Sequence, residues 1–453
     1  MSARAVKAPL GTQSGEVLLR GATLVTCDRA DTVLRGDVLI RDGRLAAIGR
    51  VRARAGASII DARDRIILPG LVMAHIHLCQ TLMRGMADDL PLLDWLRRRI
   101  WPLEAAHDDA SLRSSAELGL AELISAGTTA ILDLGTRHNH DVVFDACVRA
   151  GVRVAGGKSL MDSGSGLPRG LRQSLTDNLR DGERLERSWS AHPSGRIRYA
   201  WIPRFVLSCS EALVRGALER AADGGSLFHT HASEHASERR AVREQFGVDD
   251  VALLRRWGAR GPRVSFAHGV QLTNAQIAQL AADGTQIVSC PSANLKLGSG
   301  VARLSVMQAA GVSVGLGADG APCNNNLDPW IEIRHAALLA NARSGPGTLP
   351  ARSVLRMATI NGARVLGLDD QIGSLEVGKQ ADLVVVRSDG PHVAPATDPI
   401  ATLVYATQAR DVEHVFVAGR CLVRAGELIP FESARVVHEA RSQAQRLRRR
   451  AAI

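Results

Sequence analysis

Over residues 16–62 apolar and polar positions alternate in short runs, VLLRGATLV and DVLIRDGRLAAIG among them. A period of two predicts strands, and Asp42-Gly43 inside the second run predicts a hairpin turn. From Ile67 the pattern changes. Short apolar segments now alternate with helical stretches, which predicts βα units around a parallel sheet. The strand segments are LVMAHIH, TTAILDLG, VRVAGGKSL, RIRYAWIPRF, SLFHTHASE, RVSFAHGV, TQIVSCPSA and VSVGLGADG. About eight such strands is the number that closes a TIM barrel. Between them one helix is plain, with Ala116, Leu120 and Ile124 four apart and Gly127 placed to end it.

After Gly373 the strand pattern returns in ADLVVVRS and VEHVFVAGRCLV, the latter turning at Ala418-Gly419. The expected fold is therefore α/β: a TIM-type (β/α)8 barrel with a small, discontinuous β-sandwich domain. Its parts are 1–66 and 371–430 for the small domain, 67–370 for the barrel, and 431–453 for a basic, Ala-rich C-terminal helix. A chain of 453 residues suits one large and one small unit.

Composition narrows the classes. The chain is 45% hydrophobic and 23% charged, as soluble globular proteins are. MSARAVKAPLGTQSGE contains no apolar run of secretory length and no later stretch could span a bilayer, so the expected location is cytoplasmic, without a membrane partner. Seven scattered cysteines form no CxxC pair, which argues against a disulfide framework and a cysteine zinc site. The net charge is +10, but arginine is spread along the chain and only RSQAQRLRRR is a dense basic run. With no nucleic-acid motif, that run reads as a solvated helix face, and no nucleic-acid partner is expected.

The candidate chemistry stands at the C-terminal ends of the predicted barrel strands, the face where TIM barrels hold their active sites. His75 and His77 end the first strand, and residues two apart on a strand face one way. His231 ends the fifth with Glu234 three residues on, His268 the sixth, and Asp319 the eighth. Imidazoles and a carboxylate are zinc ligands. A cation so held leaves room for a water whose pKa it lowers from 15.7 to roughly 7. Glu234 is placed to carry that water's proton to a substrate. His229 shares a face with His231 one layer deeper and reads as a buried, hydrogen-bonded histidine. Lys158 ends the third strand, but the fourth ends in Arg204, so a single metal is the simpler account.

PGLVMAHIH, HTHASE, FAHG and GLGADG, in that order, resemble the amidohydrolase superfamily in its deaminase and triazine-hydrolase branch. IGSLEVGKQADLVVV is similar to that family's return into its small β domain. The resemblance implies one divalent metal, zinc or alternatively iron, on His75, His77, His231 and Asp319. It also implies catalytic roles for Glu234 as proton carrier, for His268 as hydrogen-bond partner of the attacking hydroxide, and for Asp319 as a proton acceptor. A homo-oligomer acting on a small-molecule substrate is the family expectation.

Substrate signals divide. QTLMRGMADDLPLLDWLRRRIWPLEAAH resembles the methylthioadenosine/S-adenosylhomocysteine deaminase group, where a glutamate in the place of Glu104 contacts ribose hydroxyls. Arg169 aligns with an arginine that binds the homocysteine tail there. HIHLCQ and PRFVLSCS look like guanine deaminase, in which the positions of Gln80, Arg204 and Phe205 hold the purine. Arg204 is a donor without acceptor capacity, suited to a carbonyl, a carboxylate or an electron-rich ring edge, with a structural ion pair as the alternative. The leading expectation is a hydrolytic deaminase of an aminopurine base or 5′-modified adenosine. A guanine or oxo-purine deaminase, an s-triazine amino- or chlorohydrolase, and a non-catalytic ligand-binding relative are the alternatives.

Overall fold

The computed structural model describes residues 15–453. The first fourteen residues, on which much of the N-terminal reading falls, lie outside the described residues.

The chain opens with strands β1 (Val17–Val25), β2 (Val33–Arg41), β3 (Arg44–Gly49), β4 (Ser58–Asp61) and β5 (Arg65–Pro69). The barrel follows: β6 (Leu71–Ile76), β7 (Thr128–Asp133), β8 (Arg153–Gly156), the short β9 (Ser159–Leu160), β10 (Ile197–Pro203), β11 (Leu227–Ala232), β12 (Val264–His268), β13 (Gln286–Ser289) and β14 (Val314–Leu316). The last strands are β15 (Leu383–Arg387), β16 (Val412–Val417), β17 (Arg420–Arg424) and β18 (Glu427–Leu428).

Barrel strands run parallel in the order β6-β7-β8-β10-β11-β12-β13-β14, with β9 beside β10. A parallel bridge between Ile76 and Asp319 brings the last strand back to the first. Each of the eight predicted segments forms one of these strands. Every residue of β6 and β7 is buried, as expected of strands covered on one face by helices and on the other by barrel interior. The helix Asp109–Ser125 shows how the outer layer is specified. Asp108 caps it in a reciprocal box with Ser111, and Ala116, Leu120 and Ile124 are buried. Gly127, at φ 97°, turns the chain out of the helix into β7.

The remaining strands form one sheet in the order β18-β17-β16-β15-β5-β1-β2-β3, with β4 beside β1. The expected sandwich is thus one continuous hydrogen-bonded sheet folded over itself. The two type I′ turns explain the folding. Asp42-Gly43 and Ala418-Gly419 have φ of 49°, 75°, 47° and 73°, and both turns bond to Ala381. Ala381 N–H donates to Gly43 O at 2.8 Å, and Gly419 N–H donates to Ala381 O at 3.1 Å. Between the halves Leu19, Val38, Ile40, Leu383, Val385 and Phe416 pack in one apolar cluster.

This sheet meets the end of the barrel opposite the active-site face. Arg153, at the start of β8, makes a buried bidentate pair with Asp382 at 2.7 and 2.9 Å. The helix Ser433–Ala451 packs on Asp109–Ser125 and on the segment near residue 104, with Ala440 and Leu447 buried. Among the described residues no helix is long and apolar enough to cross a membrane, and all seven cysteines are free and buried.

Candidate active site and metal centre

His75 lies on β6 and His77 just past its end, His231 on β11, His268 at the end of β12, and Asp319 three residues beyond β14. Gly317 allows the close approach. A Cβ there would stand 2.6 Å from the His75 carbonyl oxygen. His268 and Asp319 have φ of 76° and 60°, a left-handed backbone that costs non-glycine residues energy and collects at functional sites.

The side chains converge. His75 Nε2 and His77 Nε2 lie 3.3 and 3.2 Å from Asp319 Oδ1, and His77 Nε2 lies 3.3 Å from His231 Nε2. Ligand atoms 2.0–2.1 Å from one tetrahedral cation are about 3.3 Å apart, so these spacings fit a single ion. The other ring nitrogens of His75 and His231 are engaged elsewhere, while His77 Nδ1 is buried without a partner. His75 Nδ1 meets His229 Nε2 at 2.8 Å, and His229 Nδ1 meets the Ser265 hydroxyl at 2.7 Å. His231 Nδ1–H donates to the Arg204 carbonyl at 2.8 Å. His75 Nε2 is buried without a hydrogen-bond partner, a cost a bound cation removes.

Charge states suit ligation. Burial pushes His75 down to about 4, and it holds His231 and His229 well below the ordinary imidazole range, with neighbouring histidines adding to the effect. Neutral imidazole is the form that binds metal. Burial alone would raise Asp319, but the His75 and His77 imidazoles beside it hold its carboxyl well below the usual range.

His268 Nδ1 meets Asn294 Oδ1 at 2.9 Å, which leaves Nε2 aimed at the cluster. That nitrogen lies 3.9 Å from Asp319 Oδ2 and 3.7 Å from Glu234 Oε2. Donor atoms of His75, His231, His268 and Asp319 all fall within 4.8 Å of one another, so His268 sits nearer the ion position than the sequence suggests. The longer spacing to Asp319 fits a group that holds a water beside the ion. Burial pushes the Glu234 carboxyl well above its usual range, the Asp319 charge adds to this, and Arg204 opposes it. A carboxyl so raised holds a proton more readily than a free glutamate does, which suits a proton carrier.

Two buried carboxylates brace Glu234. Its backbone N–H donates to Glu238 Oε2 at 3.2 Å, and the N–H of Ser233, at φ 56°, donates to Asp250. Sequence reasoning passed over Glu238, Asp250, Ser265 and Asn294. Ser265 stands opposite His229 in the β11–β12 register, a pairing that strand alignment could have revealed.

A pocket of about 380 Å³, mouth included, opens over the cluster. Leu92, Trp95, Leu96 and Phe205 form apolar walls, and Gln80, Arg204 and Glu234 supply polar groups. Glu104 lies behind the wall. Arg204 Nη1 and Nη2 donate to its two oxygens at 2.6 and 3.1 Å, and Gln80 Nε2 donates to Oε1 at 2.8 Å. Burial works against the charge on Glu104, yet Arg204 and Gln80 hold its carboxyl below the ordinary value. Arg169 is exposed and lies outside the pocket wall, so the structure does not gather it with the others.

The family model described as the amidohydrolase family matches residues 66–422. The chain is 38% identical over 419 residues to a 5-methylthioadenosine/S-adenosylhomocysteine deaminase of Moorella thermoacetica, covering 91% of this chain and 95% of the relative. It is 35% identical to a 5′-deoxyadenosine deaminase of Methanosarcina acetivorans, over 96% of this chain and 99% of the relative. Among solved structures it resembles an adenosine deaminase from Xanthomonas campestris with bound zinc. The TM-score is 0.89 at 33% identity, over 97% of this chain and 100% of the other.

Proposed function

The chain belongs to the amidohydrolase family, and from that premise we propose that it is a zinc-dependent hydrolytic deaminase of adenosine-type nucleosides modified at the 5′ position. The observation that carries this reading is the convergence of His75, His77, His231 and Asp319, with donor spacings of 3.2–3.3 Å, beneath a pocket that also presents Glu234.

A divalent cation on those four side chains supplies the positive charge that brings a water's pKa to roughly 7. The chain's own residues do the rest. His268 Nε2 holds the attacking water by a hydrogen bond and fixes its approach to the ring carbon that bears the amino group. Glu234 takes a proton from that water and delivers it to the neighbouring ring nitrogen, so the carbon becomes tetrahedral without a free anion forming on the ring. Asp319 accepts the remaining proton of the added hydroxyl. That proton passes to the leaving nitrogen, the C–N bond breaks as the carbon–oxygen double bond forms, and ammonia departs. Leu92, Trp95, Leu96 and Phe205 exclude bulk water and strengthen each of these charge interactions.

The purine edge meets Gln80 and the N–H groups of Arg204 that Glu104 does not use. Glu104 sits next to those groups with acceptor capacity for ribose hydroxyls once the sugar enters. The test is an ammonia-release screen across 5′-deoxyadenosine, methylthioadenosine, S-adenosylhomocysteine, adenosine, guanine, 8-oxoguanine and an s-triazine set. The highest kcat/KM is expected on a 5′-modified adenosine. Release from guanine or a triazine alone would replace the nucleoside with that substrate class.

A further inference from the structure

Glu332 has no part in the chemistry above, yet it is a fully buried carboxylate beneath the centre. It lies in the first turn of the helix Pro329–Ser344, whose N-cap is Asp328. Its two oxygens go to two different segments. Oε2 accepts the backbone N–H of Ser292 at 3.0 Å, and Oε1 accepts Asn324 Nδ2–H at 2.8 Å. Asn324 Nδ2 also donates to the Ala318 carbonyl at 2.8 Å, one residue before Asp319. Ser292 lies in the first turn of the short helix Pro291–Lys296 that carries Asn294, the partner of His268 Nδ1.

We propose that Glu332 is a positioning residue that ties the Asp319 loop to the segment orienting His268, and so sets the geometry of the metal site. The inference rests on the roles given above to Asp319 and His268.

Three features support it. Asp319 and His268 both hold positive φ, a conformation that persists only where surrounding structure imposes it. Both ties to Glu332 come from donors, and the ionised carboxylate, a full acceptor at each oxygen, satisfies the two together best. Keeping a carboxylate here is costly, since burial pushes Glu332 up to about 7 even though Ser292 and Asn324 work the other way. A group used for packing alone would be cheaper as leucine or methionine.

The same donor count makes glutamine a sharp probe. Its amide offers one oxygen for two donors. Flipping Asn324 to accept from the new amide would set Asn324 Oδ1 against the Ala318 carbonyl. One tie is lost either way, with almost no change in volume.

The experiment measures Zn²⁺ affinity by chelator competition, and the visible spectrum of the Co²⁺ form, for the full chain and for Glu332→Gln, Asn324→Ala and the double variant. Each single change is expected to weaken Zn²⁺ binding by about 10–100-fold and to shift the Co²⁺ bands. The double variant is expected to be no weaker than the worse single, because both cut one connection. Affinities within about threefold of the parent, or losses that add, overturn the proposal. Should Glu332→Gln not fold, Asn324→Ala carries the test by itself. Because metal is read directly, a chain that shows these Zn²⁺ effects but deaminates no purine contradicts the proposed function alone. A chain that deaminates with Zn²⁺ affinity unmoved contradicts only the role of Glu332.

Discussion

Arg204 and Glu104, a hundred positions apart in the chain, form a bidentate ion pair at 2.6 and 3.1 Å beside the pocket, both almost fully buried. The pair joins the residue type of one substrate group to that of another. Each charge is matched by its partner before any ligand arrives, so neither is available whole. A substrate that engages them must fit around the pair rather than replace half of it.

Removing one partner is therefore expected to cost more than removing both. Arg204→Met strands a buried carboxylate and should lower unfolding stability by about 3–5 kcal/mol. Arg204→Met combined with Glu104→Leu should recover a good part of that while KM stays raised. Chemical denaturation of the four proteins of this cycle measures it, and simple additivity contradicts the pairing.

Glu234→Gln keeps the shape of the pocket and removes the proton carrier. Metal content should be unchanged while turnover falls about 10²–10⁴-fold. A variant within about tenfold of the parent takes general acid–base work away from Glu234.

His229 meets the centre through a hydrogen bond with His75 at 2.8 Å. His229→Leu should weaken Zn²⁺ binding by about 10–100-fold, as loss of a ligand's hydrogen-bond partner does elsewhere. Chelator competition reads the loss, and undiminished affinity shows that His75 needs no such support.

His140 lies away from the metal cluster with neither ring nitrogen hydrogen-bonded, and burial pushes it down to about 3. Its folded pKa is below its unfolded one, so between the two values the unfolded chain binds the extra proton. Its contribution is complete above about pH 6.5 and is lost as pH falls, by about 1.4 kcal/mol per unit. The stability of the parent should drop faster than that of His140→Phe between pH 6.5 and 4.5. Parallel unfolding curves at both pH values contradict this.

The barrel was legible because its signal is local. Each strand is a short apolar run, and the spacing of His75 and His77 places both rings on one face by strand geometry alone. Asp42-Gly43 declared its turn through two residues that tolerate positive φ, and Ala418-Gly419 through its glycine. What the sequence could not show depends on which distant segments meet. Nothing near Arg204 indicates that its partner is Glu104 rather than a ligand. The folding of the second sheet onto itself is set by both turns reaching Ala381, a contact without a local pattern. Glu332 carried a faint mark, as a carboxylate in a helix whose neighbours Trp330, Ile333 and Ala336 are buried. Arg169 was drawn in by loop alignment, and a loop alignment fixes no side-chain direction.

The most direct measurement is the metal itself: zinc per chain by elemental analysis, with anomalous diffraction to locate it. One ion per chain is expected, about 2.0–2.2 Å from His75 Nε2, His77 Nε2, His231 Nε2 and an Asp319 oxygen. A zinc-saturated chain with no ion there, or with the ion among His77, Cys79 and Glu104 instead, contradicts the central claim.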